Sequence, residues 1–596
     1  MCGLAGATGT GAEAVARRLN GRITHRGPDG EAVWCADGVA LGHTRLAIMD
    51  PTARSDQPFE LGPITLTYNG EIYNHVEIRR ELEADGHGFT TTGDTEIVAR
   101  ILLEHGVAGL ARLDGMYAIA VWDRRDRSLT LARDRHGIKP LYWRPRSGGI
   151  EWCSELEPLR RDDDLIDAAA MREFLRFGAP ITTPFVHDVA ELAPGSWLRL
   201  DGRGMTTGAI PTAPTSAPAD PIEALHLSIT QHSRADRPVA LFLSGGFDSA
   251  VVLRGLRDAG ADPLCLTLAT SENGDEVDRA RAAARHYGAR HEVVHIDETT
   301  IGARAVQFLE AIDQPGIDGF NTSLISEICR AHGHPVALSG LGGDEVLGGY
   351  RYYATERRAR QLAPVLGRIP GSVRTRLATA VATATGTDRA RVDAVFASTS
   401  TAARHRGYRT LFTDNEVVAL TRGATGRSLR WDVDHQDDAR RQLAALDAST
   451  YLRPTLLRDA DVHSMAHGVE LRVPFVDRRV IDSVLAAGSA PTKLDIAHAW
   501  NDDFLVQKAT EQKLTFRLPW RRWLLDSGDL TRRTLERPTE PWLGLLDTDA
   551  ATRLVRADDP TTDPLRRWAL IVLSHWLHRS PQTARIETTT REAALR

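Results

Sequence analysis

Hydrophobic and polar residues follow a strand-like pattern over roughly the first 200 residues. The runs GVALGHTRLAIM (38–49) and PITLTYNGEIYN (63–74) are β-like and are separated by turn residues. MYAIAVWDRRDRSLTLARD (116–134) predicts a hairpin whose polar turn lies at Asp123–Asp126. EIVARILLEHG (96–106) has helical spacing and ends at a glycine. Together these patterns predict a mixed α+β domain.

From about residue 237 the pattern changes to strands that alternate with helices. PVALFLSGG (238–246), PLCLTLAT (263–270), HEVVHI (291–296) and PVALSG (335–340) read as strands, with helical segments between them. This alternation predicts a parallel sheet. Residues 351–530 read as mostly helical. PLRRWALIVLSHWLHR (564–579) predicts a helix that is apolar on most of its surface and packs in a core.

Two segments lack any apolar period. Residues 201–220 are rich in Gly, Pro, Thr and Ala and predict a linker, whereas 580–596 predict a disordered tail. The predicted organisation is therefore a first domain at 1–200, a linker at 201–220, a second domain at 221–579 and the tail. A length of 596 residues agrees with two or three domains.

Composition and charge exclude several classes of protein. A net charge of −6 gives no basic surface for nucleic acid. No apolar run approaches the ~20 residues of a membrane span, and the N-terminal residues lack the basic flank and apolar segment expected of a signal peptide. The five cysteines are widely spaced and form neither a zinc pattern nor a disulfide framework. We therefore expect a cytoplasmic protein without nucleic-acid or membrane partners.

The segment LFLSGGFDSA (241–250) carries the first chemical signal. Ser244, Gly245 and Gly246 follow a predicted strand and lead into a helix that begins near Asp248. Glycines allow close approach of the backbone to an anion, and the helix N-terminus directs N–H groups at it. The loop lacks the lysine and the spacing of a Walker motif. It suits a pyrophosphate group, with Asp248 available to Mg²⁺.

A second glycine-rich segment, ALSGLGGDEVLGGY (337–350), also follows a predicted strand. In a parallel sheet both loops would reach the same carboxyl edge. Asp344 and Glu345 would add metal ligands there. The pair of loops predicts a nucleotide site whose chemistry releases pyrophosphate, and therefore an adenylation.

Cys2 carries the third signal. If Met1 is removed, this residue has both a thiol and a free α-amine, which combine a nucleophile with a base. Polar islands at 25–30, 43–50, 68–74 and 92–98 surround it in the predicted domain. Arg45 can pair a carboxylate, Glu71 and Asp94 can hold an amino group, and Asn69 with the Gly70 N–H can stabilise an oxyanion. These residues predict a pocket for an amino acid with a reactive carbonyl.

At this point the chain resembles the glutamine-hydrolysing asparagine synthetases. MCG, RGPD, RLAI, YNGEIYN and ARDRHGIKPLY match the glutaminase half, and LSGGFDS, SGLGGDE and SMAHGVELRVPFVD match the synthetase half. The match runs from residue 2 to about 579. It implies an α+β N-terminal nucleophile (Ntn) glutaminase sandwich, followed by an α/β parallel-sheet PP-loop synthetase domain with a helical C-terminal part.

The resemblance also implies roles for individual residues. Cys2 would attack the glutamine amide, and Asn69 and Gly70 would form the oxyanion hole. The implied glutamine-binding residues are Arg45, Leu46, Ala47, Ile48, Met49, Asn69, Gly70, Glu71 and Asp94. The implied ATP-binding residues are Leu243, Ser244, Gly245, Gly246, Asp248, Ser249, Leu268, Ser339 and Gly340. The implied metal ligands are Asp248 and Asp344.

The implied reaction consumes glutamine and ATP, with Mg²⁺ as cofactor, and channels ammonia to an acyl-adenylate. Asparagine formed from aspartate is one possible product. Amidation of a different carboxylate, as in specialised metabolism, is an alternative, and a glutaminase with an inactive synthetase half is another. A homodimer is the expected assembly.

The chain departs from the family pattern at the second loop. Leu341 stands where the family has a glutamate thought to act as a base, and the Thr and Arg used near the aspartate substrate are missing after AIDQPGIDGFNTS (311–323). A leucine there favours an acceptor that is bulkier or less polar than aspartate. Lys493 and Lys508 are both candidates for the lysine at the pyrophosphate.

Overall fold

A computed structural model describes most of the chain. The described residues are 2–212, 220–366, 368–385, 392, 396, 400–424, 439–487, 491–511, 544–554, 564–579 and 586–587. No helix within these ranges combines the length and the apolar character that crossing a bilayer requires.

The first domain contains two antiparallel sheets and four α-helices. The strands are β1 (Gly3–Thr8), β2 (Gly30–Ala36), β3 (Val39–Arg45), β4 (Phe59–Leu61), β5 (Ile64–Ile72), β6 (Gly115–Asp123), β7 (Ser128–Arg133), β8 (Tyr142–Arg146), β9 (Gly149–Cys153), β10 (Ile166–Asp167), β11 (Ala190–Glu191), β12 (Ser196–Asp201) and β13 (Gly204–Ala209). The helices are α1 (Ala12–Gly21), α2 (His75–Ala84), α3 (Thr95–His105) and α4 (Ala168–Phe177).

All of these strands except β10 form a sandwich of two sheets. One sheet has the order β11-β8-β9-β1-β3-β2, and the other has the order β13-β12-β7-β6-β5-β4. Leu4 and Leu41 of the first sheet share a buried cluster with Ala118 and Leu131 of the second. The predicted hairpin is confirmed, because β6 and β7 pair antiparallel around a turn after Asp123.

The predicted linker is wrong at its N-terminal end. Residues 201–220 were expected to connect the domains, but β13 at Gly204–Ala209 pairs along its whole length with β12. The sheet of the first domain therefore continues through Ala209. Residues 213–219 lie outside the described part of the chain.

The second domain is built on a five-stranded parallel sheet. Its strands are β14 (Val239–Phe242), β15 (Leu264–Ala269), β16 (Arg290–His295), β17 (Val336–Ser339) and β18 (Glu470–Arg472), in the order β16-β15-β14-β17-β18. The helices between these strands are α5 (Pro221–His232), α6 (Phe247–Asp258), α7 (Gly274–His286), α8 (Glu298–Ala311), α9 (Phe320–Ala331) and α10 (Gly343–Leu347).

The remaining described segments of this domain are mostly helical, as the sequence predicts. They are α11 (Arg351–Leu366), α12 (Gly371–Thr385), α13 (Thr401–Arg409), α14 (Asp414–Leu420), α15 (Ala439–Asp447), a π-helix at Ala448–Leu457, α16 (Arg458–Met465), α17 (Arg478–Ala486), α18 (Lys493–Ala499), α19 (Asp503–Thr510), α20 (Thr548–Leu554) and α21 (Pro564–His578). Helix α21 is buried on most of its surface, as its composition predicts.

Only part of the predicted tail is described. Ile586–Glu587 forms β19, which pairs in parallel with β10, so these two residues are ordered against the first domain and correct the prediction. The other residues of 580–596 lie outside the described ranges.

The two domains meet at a shared apolar cluster, here called the interface cluster. The first domain contributes Leu46, Ile48, Tyr73, Met116 and Ile138, and the second contributes Val336, Leu452, Leu457, Met465, Val473 and Val476. Met49 and Leu341 pack against it. Burial of this apolar surface favours association of the domains.

Candidate active sites

Cys2 directly precedes β1, an interior strand of the first sheet. Its side chain is buried, its backbone nitrogen donates a hydrogen bond to Asn69 Oδ1 at 3.0 Å, and its Sγ lies 4.0 Å from the carbonyl oxygen of Leu46. Burial raises the pKa of the Cys2 thiol above its ordinary value. The resting thiol is therefore protonated at neutral pH, and attack requires a base. Met1 lies outside the described residues.

Asn69 places a free donor beside this thiol. The residue is fully buried on β5, and its Nδ2 has no hydrogen-bond partner among the described residues. A buried amide donor without a partner is costly unless a ligand completes it. The next residue is glycine for a steric reason, because a Cβ on Gly70 would lie 2.1 Å from the carbonyl oxygen of Met116.

Asp94 is fixed near the end of the same strand. Its Oδ2 accepts hydrogen bonds from the Tyr68 hydroxyl at 2.8 Å and from the Ile72 backbone N–H at 2.9 Å. Both bonds orient the carboxylate beside β5, where Glu71 also lies. The structure therefore brings the two predicted carboxylates to one strand.

Arg45 ends β3 and is held by the loop that follows it. Its guanidinium donates to the carbonyl oxygens of Thr52 at 2.9 Å and Asp50 at 2.6 Å, and it pairs with Asp56. Residues Leu46, Ala47 and Ile48 continue from it and are buried, while Met49 is half-buried. This segment connects the surroundings of Cys2 with the interface cluster.

The second domain reaches into the first site, which sequence reasoning missed. Arg472 of β18 is fully buried and pairs with Glu71 at 2.9 Å and with Glu470 at 2.5 Å. Burial raises the pKa of Glu71 well above its usual range, and the Arg472 charge opposes this effect. Nothing in the local sequence around Arg472 indicates a partner about 400 residues earlier in the chain.

A cavity of about 400 Å³ lies at the carboxyl edge of the parallel sheet. Strands β14 and β17 are paired in register, with Phe242 opposite Ser339, so both glycine-rich loops emerge at this edge as predicted. All the residues that the resemblance assigns to ATP line this cavity, namely Leu243, Ser244, Gly245, Gly246, Asp248, Ser249, Leu268, Ser339 and Gly340.

The first loop is folded around Ser249. The Ser244 N–H donates to Ser249 Oγ at 3.1 Å, and the Ser249 hydroxyl donates to the Ser244 carbonyl oxygen at 3.0 Å. Helix α6 begins at Phe247, with Asp248 in its first turn. This places the N-terminus of a twelve-residue helix at the cavity wall, where an anionic phosphate is favoured.

The second loop approaches the first at two glycines. A Cβ on Gly340 would lie 2.7 Å from the Ser249 nitrogen, and a Cβ on Gly343 would lie 2.5 Å from Asp248 Cγ. Any larger residue at either position would displace Asp248 or its helix. The glycines of the second loop therefore allow Asp248 and Asp344 to converge.

Lys493 lies between these carboxylates. Its Nζ is 2.7 Å from Asp248 Oδ2 and 2.7 Å from Asp344 Oδ1. Although burial alone would lower the pKa of the Lys493 ammonium, the two carboxylates raise it above its ordinary value. Lys508, the other candidate, also lines the cavity and is 3.4 Å from the Gly245 carbonyl oxygen.

The same two carboxylates fit a magnesium ion. Mg²⁺ is usually held by one or two carboxylates together with substrate phosphates. Asp248 and Asp344 already converge on one cation, and both line the cavity. Within the described ranges no group of three or more His, Cys, Asp or Glu residues forms a metal site, so phosphate oxygens would have to complete the ligand set.

A smaller cavity of about 190 Å³ adjoins the larger one. Asn321, Thr322, Gly340, Leu341 and Asp344 line both. Leu341 is half-buried and also packs against the interface cluster. It therefore lies where the smaller cavity meets the apolar contact between the domains.

The larger cavity also contains residues that the sequence did not single out. Glu276 and Arg279 of α7 face the first loop, and Thr267 lies beside it. Burial raises the pKa of Glu276 to about 6. Glu276 and Arg279 are three residues apart, a spacing that occurs on every helix, so the sequence alone does not predict that they line a binding site.

Removal of the Asn69 donor gives the first prediction. We expect Asn69→Asp to reduce glutamine hydrolysis by about 10²–10³-fold, the usual effect of losing one oxyanion donor. The aspartate keeps an oxygen for the Cys2 nitrogen but has no Nδ2 donor, so this variant separates the two roles of the side chain. Steady-state glutaminase assays measure it, with ammonium-dependent activity as the check of folding. Wild-type glutamine turnover in Asn69→Asp would contradict the oxyanion assignment.

Comparison with known families assigns both halves of the chain. Residues 1–209 match the glutamine amidotransferase domain family, and residues 222–578 match the asparagine synthase family. The second match alone spans more than half of the protein.

Curated relatives match nearly the whole chain. "Asparagine synthetase (glutamine-hydrolyzing) 1" of Bacillus subtilis (strain 168) is 28% identical over 88% of this chain and 88% of its own. "Putative asparagine synthetase (glutamine-hydrolyzing)" of Mycobacterium tuberculosis (strain ATCC 25618 / H37Rv) is 31% identical over 96% of this chain and 95% of its own. Among solved structures, glutamine phosphoribosylpyrophosphate amidotransferase from B. subtilis aligns with a TM-score of 0.29 and 16% identity, over 57% of this chain and 82% of that chain.

Proposed function

The chain belongs to the glutamine-hydrolysing asparagine synthetase family and is a ligase of this type, and from this premise we propose how its two sites work together. Glutamine is hydrolysed at Cys2, and the released ammonia passes to the second domain. There it amidates a carboxylic acid that ATP has activated as an acyl-adenylate. The observation that carries the proposal is the interface cluster, which extends from the Cys2 surroundings to the wall of the smaller cavity.

In the first site Cys2 Sγ attacks the side-chain carbonyl of glutamine. The α-amine that removal of Met1 creates on Cys2 accepts the thiol proton, because burial keeps the thiol protonated at rest. Asn69 Nδ2 and the Gly70 N–H donate to the developing oxyanion. As the tetrahedral intermediate collapses, the protonated Cys2 α-amine returns its proton to the amide nitrogen, the C–N bond breaks and ammonia leaves. Water then hydrolyses the remaining thioester to glutamate and frees the Cys2 thiol.

Charged residues hold the rest of the glutamine molecule. Arg45 binds the α-carboxylate, and Asp94 with Glu71 binds the α-ammonium group. The segment Leu46–Met49 lines the approach. The ion pair of Glu71 with Arg472 makes this part of the site depend on the second domain.

In the second site a carboxylate oxygen attacks the α-phosphorus of ATP, and pyrophosphate leaves. The loop Ser244–Ser249 cradles the leaving phosphates, while Leu243, Leu268, Ser339 and Gly340 contact the nucleoside part. Asp248 and Asp344 would hold Mg²⁺, which supplies charge neutralisation for the departing pyrophosphate. Ammonia then attacks the acyl carbon, AMP leaves, and one proton is lost to give the amide.

The interface cluster supports the proposal that ammonia passes between the sites as the neutral molecule. Its apolar side chains exclude charged species, because moving an ammonium ion out of water costs far more than moving neutral ammonia. Leu46 lies at the first site, and Leu341 lies at the second, and both belong to or pack against this cluster.

A nitrogen-competition experiment tests the proposal. The enzyme receives ATP, a carboxylic acid, glutamine labelled with ¹⁵N at the amide, and excess unlabelled ammonium chloride. We expect the amide product to contain mainly ¹⁵N, with one pyrophosphate released for each amide formed. Label equal to the bulk ammonia pool would refute transfer between the sites. Glutamate formation without pyrophosphate would favour the alternative of a glutaminase with an inactive second half.

Aspartate and other carboxylic acids are the alternative candidates for the acceptor that is amidated. Relatives are named for asparagine, which makes aspartate the first candidate. Leu341, however, presents an apolar surface to the smaller cavity at the position where the family pattern has a glutamate. A general base contributes about 10²–10⁴-fold, so its loss slows amidation without preventing it.

Substitution of this leucine gives a second prediction. We expect Leu341→Glu to change the order of kcat/KM values among carboxylic acids, because it removes apolar surface and adds a charge beside the acceptor. Leu341→Met is the matched control and should keep the wild-type order, since size and polarity are nearly preserved. An unchanged order in Leu341→Glu would show that residue 341 does not set specificity.

A further inference from the structure

The smaller cavity has an acidic wall. Asp318, Asp344 and Glu345 line it, together with Asn321, Thr322 and Tyr350. No lysine or arginine lines it in the part of the chain that the structure describes. Because this cavity shares a wall with the nucleotide cavity, it is the place from which an acceptor carboxylate would reach the α-phosphate.

The two carboxylates farther from the nucleotide are held in place by backbone and ring contacts. Asp318 Oδ1 accepts the Gly319 N–H at 2.8 Å, and Glu345 accepts the Tyr350 hydroxyl. Glu345 is 3% exposed, so its charge is poorly solvated. Burial also raises the pKa of Asp318 above its ordinary value. A bound cation would relieve this cost.

Arginines near the cavity are already neutralised by other carboxylates. Arg409 stacks on Tyr350 at 4.5 Å and on Tyr451 at 3.6 Å, and it pairs with Asp447 at 3.0 Å. Arg458 pairs with Asp459, whose Oδ2 accepts the Asp318 N–H. Neither guanidinium lines the cavity. The charges of Arg409 and Arg458 are therefore neutralised behind the cavity wall and do not face a ligand in the cavity.

Aspartate does not match this wall well. After one carboxylate enters the nucleotide cavity, the other would lie among Asp318 and Glu345, where juxtaposed like charges repel. The amino group of aspartate, in contrast, would be attracted. The wall thus attracts the amino group of aspartate and repels the carboxylate that is attached to the same carbon atom.

Resting on the amide-ligase function proposed above, we propose that the natural acceptor is a carboxylic acid that carries an amino or other cationic group and no second carboxylate. Asp318 and Glu345 bind the cationic group. Leu341 packs against the carbon chain between that group and the reacting carboxylate, which agrees with an acceptor less polar than aspartate.

A matched set of acids tests the proposal on the intact enzyme. In the first series propanoate carries neither an amine nor a second carboxylate. β-Alanine adds an amine, succinate adds a second carboxylate, and aspartate has both. Pentanoate, 5-aminopentanoate and adipate repeat the comparison with a longer chain. Pyrophosphate release is measured with ATP and ammonium chloride, so that the first site does not limit the result.

We expect β-alanine in the shorter series, 5-aminopentanoate in the longer series, or both, to have the highest kcat/KM of the series. The advantage over the uncharged acid should be about ten- to a hundredfold, the usual range for a charge-assisted contact. The diacids should be the poorest substrates. If in both chain lengths an acid with a second carboxylate is used as well as the matched amine, the proposal is wrong.

Variants assign the preference to the wall. Asp318→Asn and Glu345→Gln should each reduce the ratio of amine to uncharged acid by about tenfold. Glu327→Gln, an acidic position on α9 that pairs with Arg304 away from the cavity, is the control and should keep the ratio. An unchanged ratio in both cavity variants would overturn the assignment of these residues.

Failure of the underlying function gives a different result. If no acid in either series releases pyrophosphate while glutamine is still hydrolysed, the amide-ligase function is wrong, and this inference is wrong with it. If pyrophosphate is released but diacids are preferred, only the charge selectivity is refuted.

Discussion

Cys2→Ala is expected to abolish glutamine hydrolysis while leaving amide formation from ammonium salts. Without the thiol no thioester can form, and loss of a covalent nucleophile typically reduces turnover by at least about 10⁴-fold. The second site should remain intact, because the residues that line its cavities come from the second domain. Glutamate release and ammonium-dependent pyrophosphate release, measured on the same preparation, separate the two effects.

Cys35→Ala is the matched control for this substitution. Cys35 is the exposed cysteine of β2 and should be replaceable without loss of either activity. Retained glutaminase activity in Cys2→Ala would refute the nucleophile assignment. A fully active wild-type enzyme that keeps Met1, as shown by intact mass, would refute the role of the Cys2 α-amine.

Asp248→Asn is expected to have the opposite effect. Ligase activity should fall by about 10³-fold or more, because the substitution removes one of the two carboxylates that fit Mg²⁺ and weakens neutralisation of the leaving pyrophosphate. It also breaks the ion pair with Lys493, which leaves that ammonium with Asp344 alone. Glutamine hydrolysis should continue. ATP–pyrophosphate exchange with a carboxylic acid measures the loss.

The control lies at the other end of the same helix. Asp258 ends α6, pairs with Arg254 at 2.8 Å and is exposed. Asp258→Asn removes an equal charge without touching the cavity and should preserve exchange. Normal exchange in Asp248→Asn would show that this carboxylate has no part in adenylation. Loss of exchange in both variants would trace the effect to the helix itself.

The sequence predicts those parts of the fold whose signals are local. The parallel sheet follows from apolar runs that alternate with helical segments, and the helix after Gly246 follows from its apolar spacing. Strand β13 was missed because it lies at a sheet edge with nearly all its residues exposed, so it has no alternating apolar face. Its Gly and Thr content looks like that of a linker.

The difference between features with and without a local sequence signal applies to the candidate sites as well. Cys2, Asn69 and Asp248 belong to compact motifs, and the structure brings each to a cavity or a buried cluster. The contacts of Lys493 and Arg472 depend on segments far apart in sequence that meet only after the domains fold. The acidic wall was also missed, since Asp318 and Glu345 approach each other only through the cavity that they share.

The ion pairs between the domains limit how this enzyme can be taken apart. Arg26 is fully buried and pairs with Asp461 at 2.7 Å, and Arg472 pairs with Glu71 across the same boundary. A glutaminase half cut after Ala209 would keep Cys2 but lose Asp461 and Arg472, so Glu71 would lose its arginine partner and Arg26 would be left with Glu155. Grafting this half onto an unrelated acceptor domain therefore requires transplanting β18 and α16 as well. Chimeras should therefore keep the glutaminase half together with the segments of the second domain that contact it.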